Sequence, residues 1–437
     1  MFKILISALR KLGVPIQSDS SEKIVVNTGW LFFERMLSLL AGLFIGVWVT
    51  RYLGPDEFGL YSYVLSFSVL FTSLASFGID QILVRDLVKF PSKKDELVST
   101  GFIIKAFGAA LTTILALIVV SIFDYEKEQT GIFILIVVGS TIFNCFSVVD
   151  LYLQSIIESK RIVKVNSAIL ILFYSLKIIF IVSEFPLSAF VLLIPLEGLI
   201  KGLGYLLVFR RNNHKIILSK FNFALSKDMI NESWPLILSG FAISVGLRID
   251  QIMLKEYVSL ERLGIYSVGV RLAELSAFIP MALMKSFFPR LVSSVGNQND
   301  DLIIKVIRFI FYFLCLIAFI VSIMSNFVIK ILYGEEFMDS ALILTILIWT
   351  IPLTFLGIIT NKLLTIKKYQ KTIFLKQISL TIVNIVLNLV LIPSYGIIGA
   401  AFATLIADLL INFFMDLFLK KARWIFYLKL SGLTKFK

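Results

Sequence analysis

Thr50-Arg-Tyr-Leu-Gly-Pro-Asp-Glu-Phe-Gly-Leu-Tyr-Ser62 and Lys255-Glu-Tyr-Val-Ser-Leu-Glu-Arg-Leu-Gly-Ile-Tyr-Ser267 align without a gap at an offset of 205 residues. Tyr52/Tyr257, Gly59/Gly264, Tyr61/Tyr266 and Ser62/Ser267 are identical, and Leu53/Val258, Asp56/Glu261, Phe58/Leu263 and Leu60/Ile265 are conservative pairs. Trp30 and Trp234 precede the two copies at nearly the same offset. The match lies in polar turn residues, which carry more information than apolar runs. On both sides of each copy stand apolar blocks of about twenty residues, the length that crosses a bilayer as a helix. The chain therefore reads as a duplication, each half opening with two membrane helices and the turn between them.

Composition agrees. Of 437 residues 58% are hydrophobic and only 16% charged, with a mean hydropathy of +0.92; soluble domains carry about 25% charged residues. In lipid only helices and closed barrels satisfy every backbone polar group, and blocks this long and uniformly apolar suit helices. Spans are predicted at 30–52, 58–79, 98–122, 131–156, 163–183 and 187–209, then at 234–256, 263–285, 304–326, 339–360, 370–392 and 397–419. The expected fold is an all-α polytopic membrane protein with twelve transmembrane helices, arranged as two co-oriented six-helix lobes around a central cavity and related by an axis along the membrane normal. Residues 1–29 form an N-terminal segment, 30–209 the first lobe, 210–233 the linker, 234–419 the second lobe and 420–437 a basic tail. Residues 1–13 have the pattern of a basic amphipathic helix lying on the membrane, and the apolar run from Ile4 to Leu9 is too short for a cleavable signal.

Charge orients the chain. Of the 42 Lys and Arg residues, 29 fall in the seven segments on the side of the termini, counting Lys164 and Lys305 with the loops they border. Five (Arg51, Lys127, Lys255, Arg262 and Lys330) fall on the other side. By the positive-inside rule both termini are expected in the cytoplasm. The net charge of +13 then reflects retained loops and not a nucleic-acid partner. Cys145 and Cys315 lie in apolar blocks and read as small hydrophobes, and His214 as a solvated loop residue. No metal-ligand spacing occurs, and the short outer loops hold no enzymatic module.

Eight basic residues remain inside spans. Arg308 and Lys376 lie near cytoplasmic ends and are expected to snorkel. Arg35, Lys105, Lys177, Lys201, Arg248 and Arg271 are deeper, where each costs about 2.5–3.5 kcal/mol on insertion scales, so they mark a bundle interior or a polar path. Glu197 and Lys201 (i,i+4) and Arg271 and Glu274 (i,i+3) have the spacing to pair on one helical face. Glu34–Arg35 and Arg248-Ile-Asp250 cannot pair on one helix and point to different neighbours, across the lobes. Asp150 and Asp408 are further embedded carboxylates. One reading is mutual neutralisation; the other is a cationic cavity for an anionic solute, with Arg35, Arg248 and Arg271 preferred because a guanidinium grips phosphate bidentately and stays charged. Asp250 is the first choice for binding a coupling cation. Asn384 and Asn388 (i,i+4) suit interhelical hydrogen bonding, and Pro280 with Gly269, and Pro352, suit bends.

Arg51-Tyr-Leu-Gly-Pro-Asp-Glu-Phe-Gly-Leu-Tyr61 resembles the signature of the polysaccharide repeat-unit (O-antigen) flippases, within the multidrug/oligosaccharidyl-lipid/polysaccharide exporter superfamily. Arg248-Ile-Asp-Gln251, Leu263-Gly-Ile-Tyr266, Leu332-Tyr-Gly-Glu-Glu-Phe337 and Asn388-Leu-Val-Leu-Ile-Pro-Ser-Tyr-Gly-Ile-Ile-Gly-Ala-Ala401 extend the resemblance over roughly residues 25–420. It implies a bacterial inner-membrane protein that moves undecaprenyl-pyrophosphate-linked oligosaccharide from the cytoplasmic to the periplasmic leaflet by alternating access. It implies no cofactor beyond a proton or sodium gradient, and partners among membrane lipids and the polysaccharide polymerase and chain-length machinery. A cation-coupled drug antiporter of the same superfamily would favour acidic cavity residues. A peptidoglycan-precursor flippase usually carries two further helices. A polymerase or ligase would carry a large outer catalytic loop.

Overall fold

The computed structural model describes residues 19–122, 129–211, 215–296 and 300–434; the N-terminal amphipathic helix expected at 1–13 and His214 lie outside the described residues. Among those residues the chain is helical, without a β-strand. The elements are α1 (Asp19–Ala75), α2 (Asp80–Lys89), α3 (Lys94–Ile122), α4 (Gln129–Gly139), α5 (Val148–Ser155), α6 (Lys160–Val182), α7 (Leu187–Arg211), α8 (Phe223–Tyr257), α9 (Leu260–Ser276), α10 (Phe278–Gly296), α11 (Asp300–Leu332), α12 (Ser340–Leu347), α13 (Thr350–Ile366), α14 (Gln370–Leu409), α15 (Met415–Phe418) and α16 (Arg423–Thr434). A 3₁₀ stretch, Ser140–Ser147, joins α4 to α5, and a π-helical stretch, Leu410–Phe414, joins α14 to α15.

Among the described residues ten helical segments are long and apolar enough to cross a membrane, but the first has 64 residues (Val26–Lys89) and the last 49 (Gln370–Phe418). At 1.5 Å per residue these would be about 95 and 75 Å long if straight, far beyond a bilayer core of about 30 Å. Both are broken at a glycine, Gly54 (φ 68°, ψ 175°) in the first and Gly396 (φ 55°, ψ −132°) in the last, conformations open to glycine and costly for other residues; the first turns again at residues 76–79, ahead of the short α2. Both glycine breaks fall in the turns expected between spans. The ten segments are thus twelve membrane helices.

Three expected loops are partly helical. In α2, Ile82, Leu83 and Leu87 are buried on one face, and α16 likewise buries Ile425, Phe426 and Leu428; the i,i+3/i+4 spacing of these side chains makes surface helices of stretches too short and too charged to span. The linker likewise enters α8 at Phe223. The bend expected at Pro280 is the break at Ala277 between α9 and α10, since proline lacks the amide that would extend α9's ladder.

The chain forms two compact units. One takes residues up to Tyr52 and Phe67–Phe241; the other takes Leu53–Ser66 and Ala242 onward. The core of the first gathers Ile79, Leu83, Leu97, Val98, Val148, Leu153 and Tyr205. In the second, the repeat copies meet. A Cβ on Gly59 would stand 1.9 Å from the Leu260 carbonyl oxygen, and one on Gly264 2.0 Å from that of Pro55. Pro55 and Leu260 are themselves equivalent in the repeat. Both open a helix after a non-helical residue: Gly54 in the first copy, and in the second Ser259, whose side chain caps the Arg262 amide.

Candidate functional site

In the first unit two separate hydrogen-bonded groups hold embedded charges. Glu34 on α1 accepts from Asn166 Nδ2 of α6 at 2.8 Å, and Asn166 Oδ1 accepts from the Tyr205 hydroxyl of α7 at 2.9 Å. The buried Lys105 ammonium lies 2.6 Å from Asp80 and 2.6 Å from the Ser147 hydroxyl. It is a tether between α3, the start of α2 and the 3₁₀ stretch. Asp150 on α5 stands within Coulombic range of Lys201, Glu34 and Lys105. Lys201 does not take up the pairing with Glu197 expected from their spacing. It stands 5.9 Å over the ring of Tyr205, one turn further along the same helix, and lies within Coulombic range of Asp150 on α5, two partners that compete with Glu197. Lys177 stands 5.2 Å over the Tyr174 ring, and Arg35 is exposed.

In the second unit Arg248 and Asp250 both turn to α9. Arg248 donates to the two carboxylate oxygens of Glu274 at 2.9 and 3.2 Å, and the buried Asp250 accepts from the Tyr266 hydroxyl and from the Gln251 amide at 2.8 Å. The two residues do take different partners, but not across the lobes as expected: one helix, α9, supplies both, with Tyr266 and Glu274 two turns apart along it. Arg271, half-buried, lies within Coulombic reach of Tyr333. Ser66 donates to Gln251 beside this pair.

A buried polar track continues from Asp250. Thr404 stands near the Tyr266 hydroxyl. Asn384 Nδ2 donates to Thr404 Oγ1 at 3.3 Å, and Asn388 Nδ2 donates to Asn384 Oδ1 at 3.0 Å. Asn388 Oδ1 is buried and has no hydrogen-bond partner. The sequence picked out Asp250, Asn384 and Asn388 separately. Tyr266 stood out only as a repeat and motif position, and Thr404, a single hydroxyl in an apolar helix, carried no signal. Asp408 accepts from Thr354 at 3.3 Å and from Asn412 at 2.8 Å. No group of three or more His, Cys, Asp or Glu gathers as a metal site among the described residues.

A second buried cluster escaped the sequence reading. Asp416 is fully buried between two lysines: Lys376 donates to one carboxylate oxygen and Lys429 to the other at 2.6 Å. Thr360 also reaches Asp416, at 2.9 Å, and Lys429 the Asn412 carbonyl, at 2.6 Å. The snorkelling expected of Lys376 is thus overturned; α16 closes over the helix ends and brings Lys429 with it. Arg308 does not snorkel either. Its guanidinium caps the Gly432 and Ser431 carbonyls at 3.1 and 3.3 Å, the stabilising place for a cation at a helix C-terminus.

A twelve-helix membrane bundle with a duplicated opening and charge clusters inside each unit defines a polytopic membrane protein. The chain belongs to the polysaccharide biosynthesis protein family, whose profile matches residues 24–295; that of the MatE family matches residues 235–390. Among curated relatives, the capsular polysaccharide biosynthesis protein CapF of Staphylococcus aureus is 23% identical over 407 residues, covering 88% of this chain and 96% of that protein. The probable flippase AglR of Haloferax volcanii is 29% identical over 169 residues, 36% of this chain and 35% of the relative. Among solved structures, an inward-facing multidrug resistance MATE transporter superposes with a TM-score of 0.69 at 14% identity, over 90% of this chain and 96% of its own. The lipid II flippase MurJ superposes with a TM-score of 0.67 at 16% identity, over 94% and 93%. At these identities the structures establish the fold.

Proposed function

We propose that this protein is a flippase for undecaprenyl-pyrophosphate-linked oligosaccharide repeat units, of O-antigen or capsular type, moving them from the cytoplasmic to the periplasmic leaflet by alternating access. It is placed in a bacterial inner membrane with both termini cytoplasmic, as the 29-to-5 charge bias supports. The observation that carries the reading is membership of the polysaccharide biosynthesis family over residues 24–295, a range that includes both repeat copies. The names of CapF, AglR and MurJ support it: one acts in capsular polysaccharide biosynthesis and the other two are flippases or a probable flippase.

The chemistry is consistent with such a cargo. The lipid tail stays in the bilayer, while a pyrophosphate and its sugars need cations and hydrogen-bonding groups held inside apolar helices. Arg248 and Arg271 are the preferred phosphate ligands, Arg248 exchanging Glu274 for the anion. Asp250, Thr404 and the unpartnered Asn388 Oδ1 offer hard oxygen donors for a coupling proton or sodium ion, so that ion and cargo bind the two states of the cycle unequally, as transport requires.

A drug antiporter coupled to a cation gradient is the second reading. It is favoured by the MatE match over residues 235–390, which contains Asp250, Tyr266, Asn384 and Asn388. Reconstituted protein decides between them. Protection of a defined undecaprenyl-pyrophosphate oligosaccharide from an external glycosidase, changing on addition of protein and a gradient, supports the flippase. An unchanged leaflet distribution together with gradient-driven movement of organic cations would replace it with the antiporter.

A further inference from the structure

At one end of the second unit, outside the polar tracks described above, lies a cavity of ≈ 580 Å³ whose lining includes Lys367, Lys420, Lys421, Tyr369, Trp424 and Asp300. Three ammonium groups and one carboxylate leave it cationic. No ion pair engages these three lysines among the described residues. Its walls are held in place by the backbone. Lys368 sits in the left-handed region at φ 61° and sets the turn that presents Lys367 and Tyr369, with the Tyr369 amide bonded to the Leu364 carbonyl at 2.8 Å. Lys421 lies 4.9 Å over the Tyr369 ring. Trp424 Nε1 donates to the Lys421 carbonyl at 3.1 Å, and Arg423 Nε to that of Leu417 at 3.0 Å. Beneath α16, the Asp416–Lys429 pair fixes the helix to α15.

We infer that this cavity binds the phosphate headgroup of an anionic phospholipid. Three observations point there. The cavity lies where spanning helices α11, α13 and α14 meet their loops, so its mouth stands at the membrane–water boundary. Tyr369 and Trp424 are the residue types that settle at that boundary. Two residues before Lys420, Phe418 is 75% exposed, an apolar surface for acyl chains beside a cationic headgroup pocket. Basic pockets at helix ends hold anionic headgroups in this way. A soluble phosphate would use the cations and ignore the apolar surface. The inference rests on the membrane-spanning fold and not on the identity of the cargo.

The test uses the full chain purified in neutral detergent, with native mass spectrometry and thermal unfolding in the presence of phosphatidylglycerol, phosphatidylcholine or inorganic phosphate. Wild type is expected to retain and be stabilised by phosphatidylglycerol over phosphatidylcholine. The preference is expected to fall about fivefold per lysine in Lys420→Gln, Lys367→Gln and the double variant, and to persist in Lys330→Gln, whose lysine pairs with Glu335 elsewhere. An undiminished preference in the double variant overturns the site. Equal protection by inorganic phosphate overturns its assignment to a lipid. The cargo assay is independent of both outcomes, so a failed flippase reading leaves this result standing.

Discussion

Gly59 and Gly264 face each other across a crossing of two helices, each set against the backbone carbonyl of the residue that opens the other's helix. The arrangement is reciprocal: the same two repeat positions, helix start and fourth residue after it, are used from both sides. Two copies of a duplicated turn thereby pack reciprocally against each other. Small residues let helix backbones approach closely where lipid offers no hydrophobic drive. Alanine at either position puts a methyl within 2.0 Å of a carbonyl oxygen and forces the helices apart. Gly59→Ala and Gly264→Ala are each expected to cost about 1–3 kcal/mol, as overpacking does. The double variant should cost less than the sum, because one displacement relieves both clashes. Thermal unfolding of the four proteins checks this; strict additivity, or no loss, would contradict the crossing.

How much of this was legible beforehand follows from what kind of information each feature needs. Span number and the repeat were legible because bilayer thickness and turn chemistry act on local sequence. Gly54 and Gly396 fell in turns already placed by apolar block length. The embedded charges were legible as costly residues, but their partners were not. Lys201 and Glu197 have the right spacing, yet Lys201 turns to Asp150 and the Tyr205 ring. Lys376 looks like a lysine able to reach water until α16 covers it. Asp416 stood at a span end, and nothing in its neighbours announced two buried lysines, one of them arriving from thirteen residues further on. Pairing is decided by which helices become neighbours, and a single sequence does not state that.

The Lys376–Asp416–Lys429 cluster makes a prediction about stability. Removing one partner of a buried ion pair leaves an uncompensated charge, at a cost of about 3–5 kcal/mol. Asp416→Asn leaves two ammonium groups without their carboxylate and should be the most damaging change at this site. Lys429→Met leaves Asp416 paired with Lys376 and should be much milder.

The same cluster sets a pH dependence. Burial pulls the Lys429 ammonium down to about 7, with Asp416 opposing the shift and Lys376 adding to it. An unfolded lysine titrates near 10.4. Between these values the unfolded chain holds the extra proton, so stability rises with pH across roughly 7 to 10. Wild-type unfolding temperature should climb through that window, and the climb should flatten in Lys429→Met. An equal slope in both proteins would assign the effect to another group.

Arg248→Ala and Arg271→Ala are expected to abolish export of repeat units while leaving insertion intact, read as loss of surface polysaccharide with normal membrane levels of the protein. Arg248→Lys should restore little, since an ammonium lacks the bidentate fork that a phosphate or Glu274 engages. Glu274→Gln removes the competitor for Arg248 and should tighten binding of the lipid-linked cargo while slowing its release. Normal polysaccharide in both alanine variants would remove the cationic residues from the mechanism.

Asp250 makes the sharpest separation between binding and coupling. Its carboxylate is buried and bonded to Tyr266 and the Gln251 amide, and near Tyr266 the Thr404–Asn384–Asn388 chain ends in the open oxygen of Asn388. If this track holds the coupling ion, Asp250→Asn keeps the shape and loses the charge. Cargo binding should then survive while transport loses its response to a gradient. Asn388→Ala should weaken the response to sodium, if sodium is the ion, and leave a proton-driven response largely intact, because a proton needs only the carboxylate. Tyr266→Phe removes a donor to Asp250 without opening a cavity, and at about 1.5–3 kcal/mol for a hydrogen bond to a charged group it should shift the ion or pH dependence by one to two decades. The measurement is leaflet transfer in proteoliposomes with imposed proton and sodium gradients, run separately. Gradient-dependent transport at wild-type rate in Asp250→Asn would show that the ion binds elsewhere, with the half-buried Asp408 and its Thr354 and Asn412 contacts the next embedded carboxylate to change.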